Sequence, residues 1–170
     1  MHKFYILALI HLIFNNNIIK NSISKQNIEK KMIQKFFEIK IETSGQNLIN
    51  ISKEIEKFVK NSGIINGIIN LSILHTSASL IIQENASKDV LIDLENFFNE
   101  LVPMNENFYL HKLEGKDDMP AHIKTALTNT NLSLSIIGSK LKLGNWQGIY
   151  LFEHRIERHL RTVFCHIIGE

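Results

Sequence analysis

Apolar and polar residues alternate in some stretches of this chain and recur every three to four positions in others, and the two periods mark its elements. From Gln34 to Glu42, Phe37, Ile39 and Ile41 alternate with Glu38, Lys40 and Glu42, which predicts a half-buried strand. Thr43–Asn47 reads as a turn. Leu48, Ile51, Ile55, Phe58 and Val59 then recur at helical spacing, with Asn50 as N-cap and Asn61-Ser62-Gly63 as the stop. Gly67–Ile82 is strand-like throughout. A second helix starts at a Ser87 cap with Asp89 in its first turn, and Pro103 ends it. Its stripe of Val90, Leu91, Leu94, Phe97, Phe98 and Leu101 is expected to face the core. A loop over Met104–Asp118 leads to a short helix with Pro120 in its first turn. The remainder predicts strands over Leu132–Ile137, Gly148–Glu153 and Leu160–Ile168. This order favours a compact α+β domain with about three helices on a mixed, mostly antiparallel sheet.

The first 31 residues follow another pattern. Phe4–Phe14 is an apolar run, too short for a bilayer, with the length of a signal-peptide core but no small-x-small cleavage site after it. Lys20, Lys25, Lys30 and Lys31 then face one acid, Glu29. Residues 1–31 are therefore read as a leader, either a flexible or upstream extension or a targeting segment, and 32–170 as the working domain. The expected location is cytoplasmic, with organelle targeting or secretion through residues 1–31 as the alternative.

Composition narrows the function classes. A chain of 170 residues that is 44% hydrophobic can bury one real core. A net charge of +2 does not argue for nucleic acid, and no stretch suits a stable membrane span. The single cysteine, Cys165, excludes an intrachain disulfide and a four-thiolate zinc site, and its apolar surroundings read as core rather than nucleophile.

Four stretches carry candidate chemistry. His75, with Ser77 two residues on, leaves polar room on a strand face that runs to Glu84 and Asn85. His111 and His122 come from the loop and the start of the third helix. Three neutral imidazoles from separate elements suit a metal with an open coordination position, zinc or magnesium. Glu84, Asp117 and Asp118 are acids that could orient an imidazole, act as general base or bind a metal, although Asp118 also reads as a helix cap and Asp117 as turn chemistry. Leu143–Gly148 brackets the single tryptophan, Trp146, with glycines and amides, so that Trp146 and Gln147 could hold a ring or simply plug a hairpin. Arg155 and Arg158 read as a solvated turn, whereas Arg161, in the strand proper, is the better candidate for a phosphate.

Four motifs in order carry a resemblance: H-T-S-A at His75–Ala78, E-N at Glu84–Asn85, P-A-H-I-K at Pro120–Lys124 and L-G-N-W-Q at Leu143–Gln147. Together they resemble the YjbQ-like family, also described as secondary thiamine-phosphate synthase, from about Met32 to the end. The resemblance implies a barrel-like α+β fold, a homotrimer, and a polar site near subunit contacts built from the histidines and the tryptophan–glutamine turn. It also implies a transferase joining a hydroxymethylpyrimidine diphosphate to a thiazole phosphate. His75, His111 and His122 would then hold a metal or the diphosphate, with Glu84, Asn85 and Asp118 in catalytic roles. Ser77, Trp146, Gln147 and Arg161 would contact the substrate, a small phosphorylated metabolite. Asn145 stands where the family usually has threonine, which adjusts the site without abolishing it. The alternatives are metal-assisted hydrolysis of a phosphorylated metabolite and a non-catalytic trimeric module that binds a metal or metabolite.

Overall fold

The alternation at Phe37–Glu42 does build a strand, and its core-facing Ile39 packs beneath two sheets that share one apolar interior. The computed structural model describes residues 31–170, so the readings of Phe4–Phe14 and of the leader up to Lys30 lie outside the described residues. The elements run β1 (Ile33–Glu42), β2 (Asn47–Asn50), α1 (Ser52–Asn61), β3 (Asn66–Ile73), β4 (Ala78–Glu84), α2 (Lys88–Leu101), a short 3-10 turn (Glu106–Phe108), α3 (Asp118–Leu127), β5 (Asn131–Ile137), β6 (Lys140–Leu141), β7 (Gln147–Glu153) and β8 (Leu160–Gly169).

One sheet has the order β1-β8-β3-β5-β6 and the other β2-β7-β4, and every strand pairing among the described residues is antiparallel. Period-two alternation explains how they meet. Ile69, Leu71 and Ile73 of β3 and Val163, Cys165 and Ile167 of β8 share a core with Leu80 of β4 and Ile149 and Leu151 of β7. Ile55 and Val59 of α1 close that core. Leu48, Tyr150 and Phe152 form a smaller cluster against Leu91 and Phe98 of α2. The α+β class with a curled, mostly antiparallel sheet and three helices is thus the observed fold.

Two expectations are corrected. The strand-like run Gly67–Ile82 is not continuous: β3 ends at Ile73 in the five-stranded sheet and β4 begins at Ala78 in the other. The crossing residues, His75 and Ser77 among them, therefore do not lie on a strand face. The α2 stripe is core only in part: Leu91 and Phe98 pack against the smaller cluster, but the helix buries no residue fully and leaves Phe97 and Leu101 of the stripe exposed. Helical spacing shows that one face is apolar, but not how much neighbouring chain is present to cover it.

Where β3 and β8 meet at their ends, Gly67 opposes Gly169, and a Cβ on Gly67 would sit 2.3 Å from the Ile168 carbonyl oxygen. Backbone cannot yield as a flexible side chain does. Gly67→Ala is therefore expected to destabilise the fold by about 1–3 kcal/mol, measured by urea unfolding. An unchanged midpoint would refute the close-approach account.

Candidate functional site

The loop before α3 and the first turn of that helix bring three of the predicted residues together. Asp118 and His122 are four apart on α3 and therefore share a face. Asp118 Oδ2 lies 2.7 Å from Nε2 of His111 and 3.3 Å from Nε2 of His122. One ligand atom from each of the three falls within 4.8 Å of the others, an arrangement able to hold a metal ion. Nδ1–H of His122 donates to the Thr76 carbonyl at 2.9 Å, which leaves the Nε2 lone pair facing Asp118. His111 also lines a cleft of about 130 Å³ with Tyr109, Lys112, Gly115 and Lys116.

Asp118 is only 2% exposed, and its second oxygen is held by Arg155 Nη1. Arg155 is itself fixed by Asp117, at 3.0 Å from Nε, and by the Glu114 carbonyl at 2.6 Å. The solvated-turn reading of Arg155 is thus corrected: its guanidinium is buried and braces the helix that carries the site. Burial works to raise the Asp117 pKa, but the Ile156 N–H and Arg155 outweigh it and hold the carboxyl below its ordinary value. Asp117, rather than Asp118, occupies the N-cap position.

His75 stands apart from this cluster. Its Nε2 accepts the Thr162 N–H at 2.9 Å, so that nitrogen is not available to a metal. Burial and the nearby Arg161 lower its pKa and keep the ring neutral. Ser77 is buried, and its carbonyl accepts from Arg161 Nη2 at 3.3 Å. Arg161 is not a free phosphate ligand: it is 3% exposed and clamps Glu153, with Nε 2.6 Å from Oε2. Glu153 also accepts from the Thr43 hydroxyl at 2.8 Å and the Arg155 N–H at 3.0 Å. Local pattern gave no sign of this pair, because the two residues meet only through the β7–β8 turn.

Glu84, Asn85, Trp146 and Gln147 lie at the other end of the same sheet. Ala78 pairs with Glu153 and Glu84 with Gln147, so the six steps along β4 from Ala78 to Glu84 separate the two groups by about 20 Å within one chain. The expectation that they wall a single pocket is corrected for the isolated chain. Asn85 acts there as a brace, its N–H donating to the Trp146 carbonyl at 2.9 Å and its amide to the Gln147 carbonyl at 3.3 Å. The Gln147 side chain accepts the Gly144 N–H at 2.7 Å and closes the turn. Trp146 does not plug the core, being 67% exposed. Asn85 and Gln147 line a polar cleft of about 450 Å³ with Asn50, Ser52, Lys53, Glu54 and Glu56.

Sequence reasoning also missed a polar interior below α2 and α3. Lys124 is buried and donates to Asn99 Oδ1, and burial lowers its pKa against the opposing pull of Glu95. His154 Nε2 lies 2.9 Å from the Ser79 hydroxyl, and burial, aided by Lys124, pushes its pKa down to about 3. Cys165 is core, as expected, and burial pushes its thiol up to about 12.

Residues 37–170 match the family model described as UPF0047 protein YjbQ-like. A UPF0047 protein of Synechocystis sp. is 49% identical over 130 residues, 76% of this chain and 88% of that protein. The UPF0047 protein YjbQ of Escherichia coli O157:H7 is 38% identical over 138 residues, 81% of this chain and 98% of its own length. Among solved structures, a YbjQ-like protein of unknown function from Sulfolobus solfataricus P2 has a TM-score of 0.76 at 26% identity, covering 82% of this chain and 100% of that one. A yjbq/upf0047-family protein from Clostridium acetobutylicum has a TM-score of 0.72 at 35% identity, covering 77% and 98%. With the family model spanning the folded unit and relatives aligned over most of their length, the chain belongs to the UPF0047 YjbQ-like family.

Proposed function

We propose that this chain holds a divalent metal between His111, Asp118 and His122 and acts with it on a small phosphorylated metabolite. The observation that carries the reading is the convergence of two imidazole Nε2 atoms on one carboxylate oxygen. Two nitrogens and one oxygen suit zinc and leave coordination positions open; magnesium is the less favoured ion for that donor set. The Thr76 carbonyl sets the His122 tautomer, and Arg155 with Asp117 sets the carboxylate. Nε2–H of His111 donates to Asp118 in the free chain, so metal uptake at that nitrogen takes the tautomer that carries its proton on Nδ1. Lys112 and Lys116, in the cleft beside His111, supply positive charge for phosphate oxygens.

The finer form of the proposal is a transfer of thiamine-phosphate-synthase type. The thiazole nitrogen bonds to the methylene carbon of the pyrimidine, the carbon–oxygen bond to the diphosphate breaks, and diphosphate leaves with that electron pair. A bound divalent ion supplies neutralisation of the charge growing on the leaving group. With Arg161 engaged by Glu153, Lys112 and Lys116 take over the phosphate-facing role. A homotrimer is part of the same proposal: the exposed Ile92, Phe97 and Leu101 of α2 suit burial against another copy, and Trp146 would reach the metal cluster from a neighbouring copy.

Calorimetric titration of the purified chain with zinc is expected to show one site per chain, tighter at higher pH, with proton release. Incubation with both thiamine precursors and metal is expected to yield the coupled phosphate. Phosphate release from other metabolites without coupling would favour hydrolysis, and binding without any turnover a non-catalytic module. Absence of metal binding would remove the central reading.

A further inference from the structure

β1 lies at the end of its sheet, paired only with β8 among the described residues, so one side of a ten-residue backbone carries unpaired N–H and C=O groups. A groove of about 670 Å³ runs along that side. Its lining includes every residue from Lys35 to Lys40, side chains of both sheet faces, so the groove follows the edge of the strand rather than one face. Opposite, α1 contributes Glu54, Lys57, Phe58, Asn61 and Ser62, the residues of a single helix face. Phe37 stacks on Phe58 at 5.0 Å, yet Phe37 remains 46% exposed and Phe36 59%. A long unpaired edge with two exposed phenylalanines beside it is a template for another strand.

The sequence of β1 indicates which strand fits. In a two-fold antiparallel pairing, residue i opposes residue j with i + j constant, and only even sums let both partners present their outward-facing backbone groups together. Centring the pair on Glu38 or on Lys40 places like charges directly opposite each other. Centring it on Ile39 instead pairs Glu38 with Lys40 twice on the solvent face, and Phe37 with Ile41 twice on the Phe58 side. That register overlaps Phe36–Glu42, whereas the next one with a Glu–Lys match, centred on Ile41, overlaps only Lys40–Glu42.

We infer that the free edge of β1 is an isologous interface, joining two copies of this chain by an antiparallel β1–β1 ladder centred on Ile39. A two-fold contact cannot close a three-fold ring, so this interface is separate from any trimer contact and doubles whatever assembly the rest of the surface makes.

The test is the solution mass of the full chain by light scattering after gel filtration. Glu38→Lys opposes lysine to lysine, and Lys40→Glu opposes glutamate to glutamate. Each single variant is expected to have half the wild-type mass, with circular dichroism confirming that it is folded. Glu38→Lys/Lys40→Glu restores both pairs and is expected to restore the wild-type mass. Mixing the two folded single variants is expected to give the doubled mass, because lysines of one then face glutamates of the other. Equal masses for wild type and both single variants would overturn the interface, as would a mixture that stays at half mass.

Discussion

Glu153→Ala is expected to lower the unfolding free energy by about 3–5 kcal/mol, read from urea denaturation of the purified chain. Glu153 is fully buried and Arg161 nearly so, and removing the carboxylate leaves that guanidinium inside the protein with only the Ser77 carbonyl to accept from it. The Thr43 hydroxyl and the Arg155 N–H lose an acceptor at the same time. Acid should have a related effect on the unmutated chain. Burial would raise the Glu153 pKa, but hydrogen bonds from Arg161, Arg155 and Thr43 outweigh it and depress the value below 4.5. A depressed carboxylate contributes stability that is complete above its unfolded pKa and is lost as pH falls through the folded one. His154 adds to this from higher pH. The unfolded imidazole takes a proton below 6.5 whereas the folded one stays neutral to about 3, so over that window stability falls by about 1.4 kcal/mol per pH unit. The midpoint temperature should therefore decline steadily below neutral pH. A flat profile down to acid conditions would contradict both placements.

Asp118→Ala is expected to weaken zinc binding by at least ~100-fold, beyond the 10–100-fold typical of losing a supporting group. The substitution removes the only carboxylate of the cluster and the oxygen on which both imidazoles converge. Arg155→Met, which frees the carboxylate from its brace, should cost about 10–100-fold with the ligands intact. His75→Ala should leave affinity nearly unchanged, because His75 lies outside the cluster with its Nε2 engaged by Thr162. Calorimetry on the three folded variants separates these outcomes. A loss of binding in His75→Ala equal to that in Asp118→Ala would place the metal elsewhere.

What could be read ahead of the structure was what depends on near neighbours. Alternation from Phe37 to Glu42 marks β1, and Ser87 caps α2 by accepting the Asp89 N–H as its residue type suggests. The four-residue spacing of Asp118 and His122 was also visible, although Asp118 could equally be taken for a cap. The break at His75–Ser77 was harder to see, because residues passing between two sheets keep the same mix of polar and apolar types as a strand. Arg155 and Arg161 were indistinguishable by type, and both turned out to be buried through partners more than ~30 residues away or across a hairpin. The separation of Trp146 from His122 follows from the register of β4 on β7, which no local period encodes.

The shallow seating of α2 has a consequence for how the protein holds itself together. With no residue fully buried, and with Leu91, Phe98 and the Asn99–Lys124 hydrogen bond as its main anchors among the described residues, α2 is the helix whose opening costs a lone chain least. Its amides should exchange with deuterated solvent well before those of β3 and β8, and dilution should speed that exchange if another copy covers Ile92, Phe97 and Leu101. Opening α2 would also admit water to the Lys124 amine and to His154 Nδ1, a buried atom with no hydrogen-bond partner among the described residues. Assembly would then decide not only how many chains travel together but how long this buried amine and imidazole stay dry.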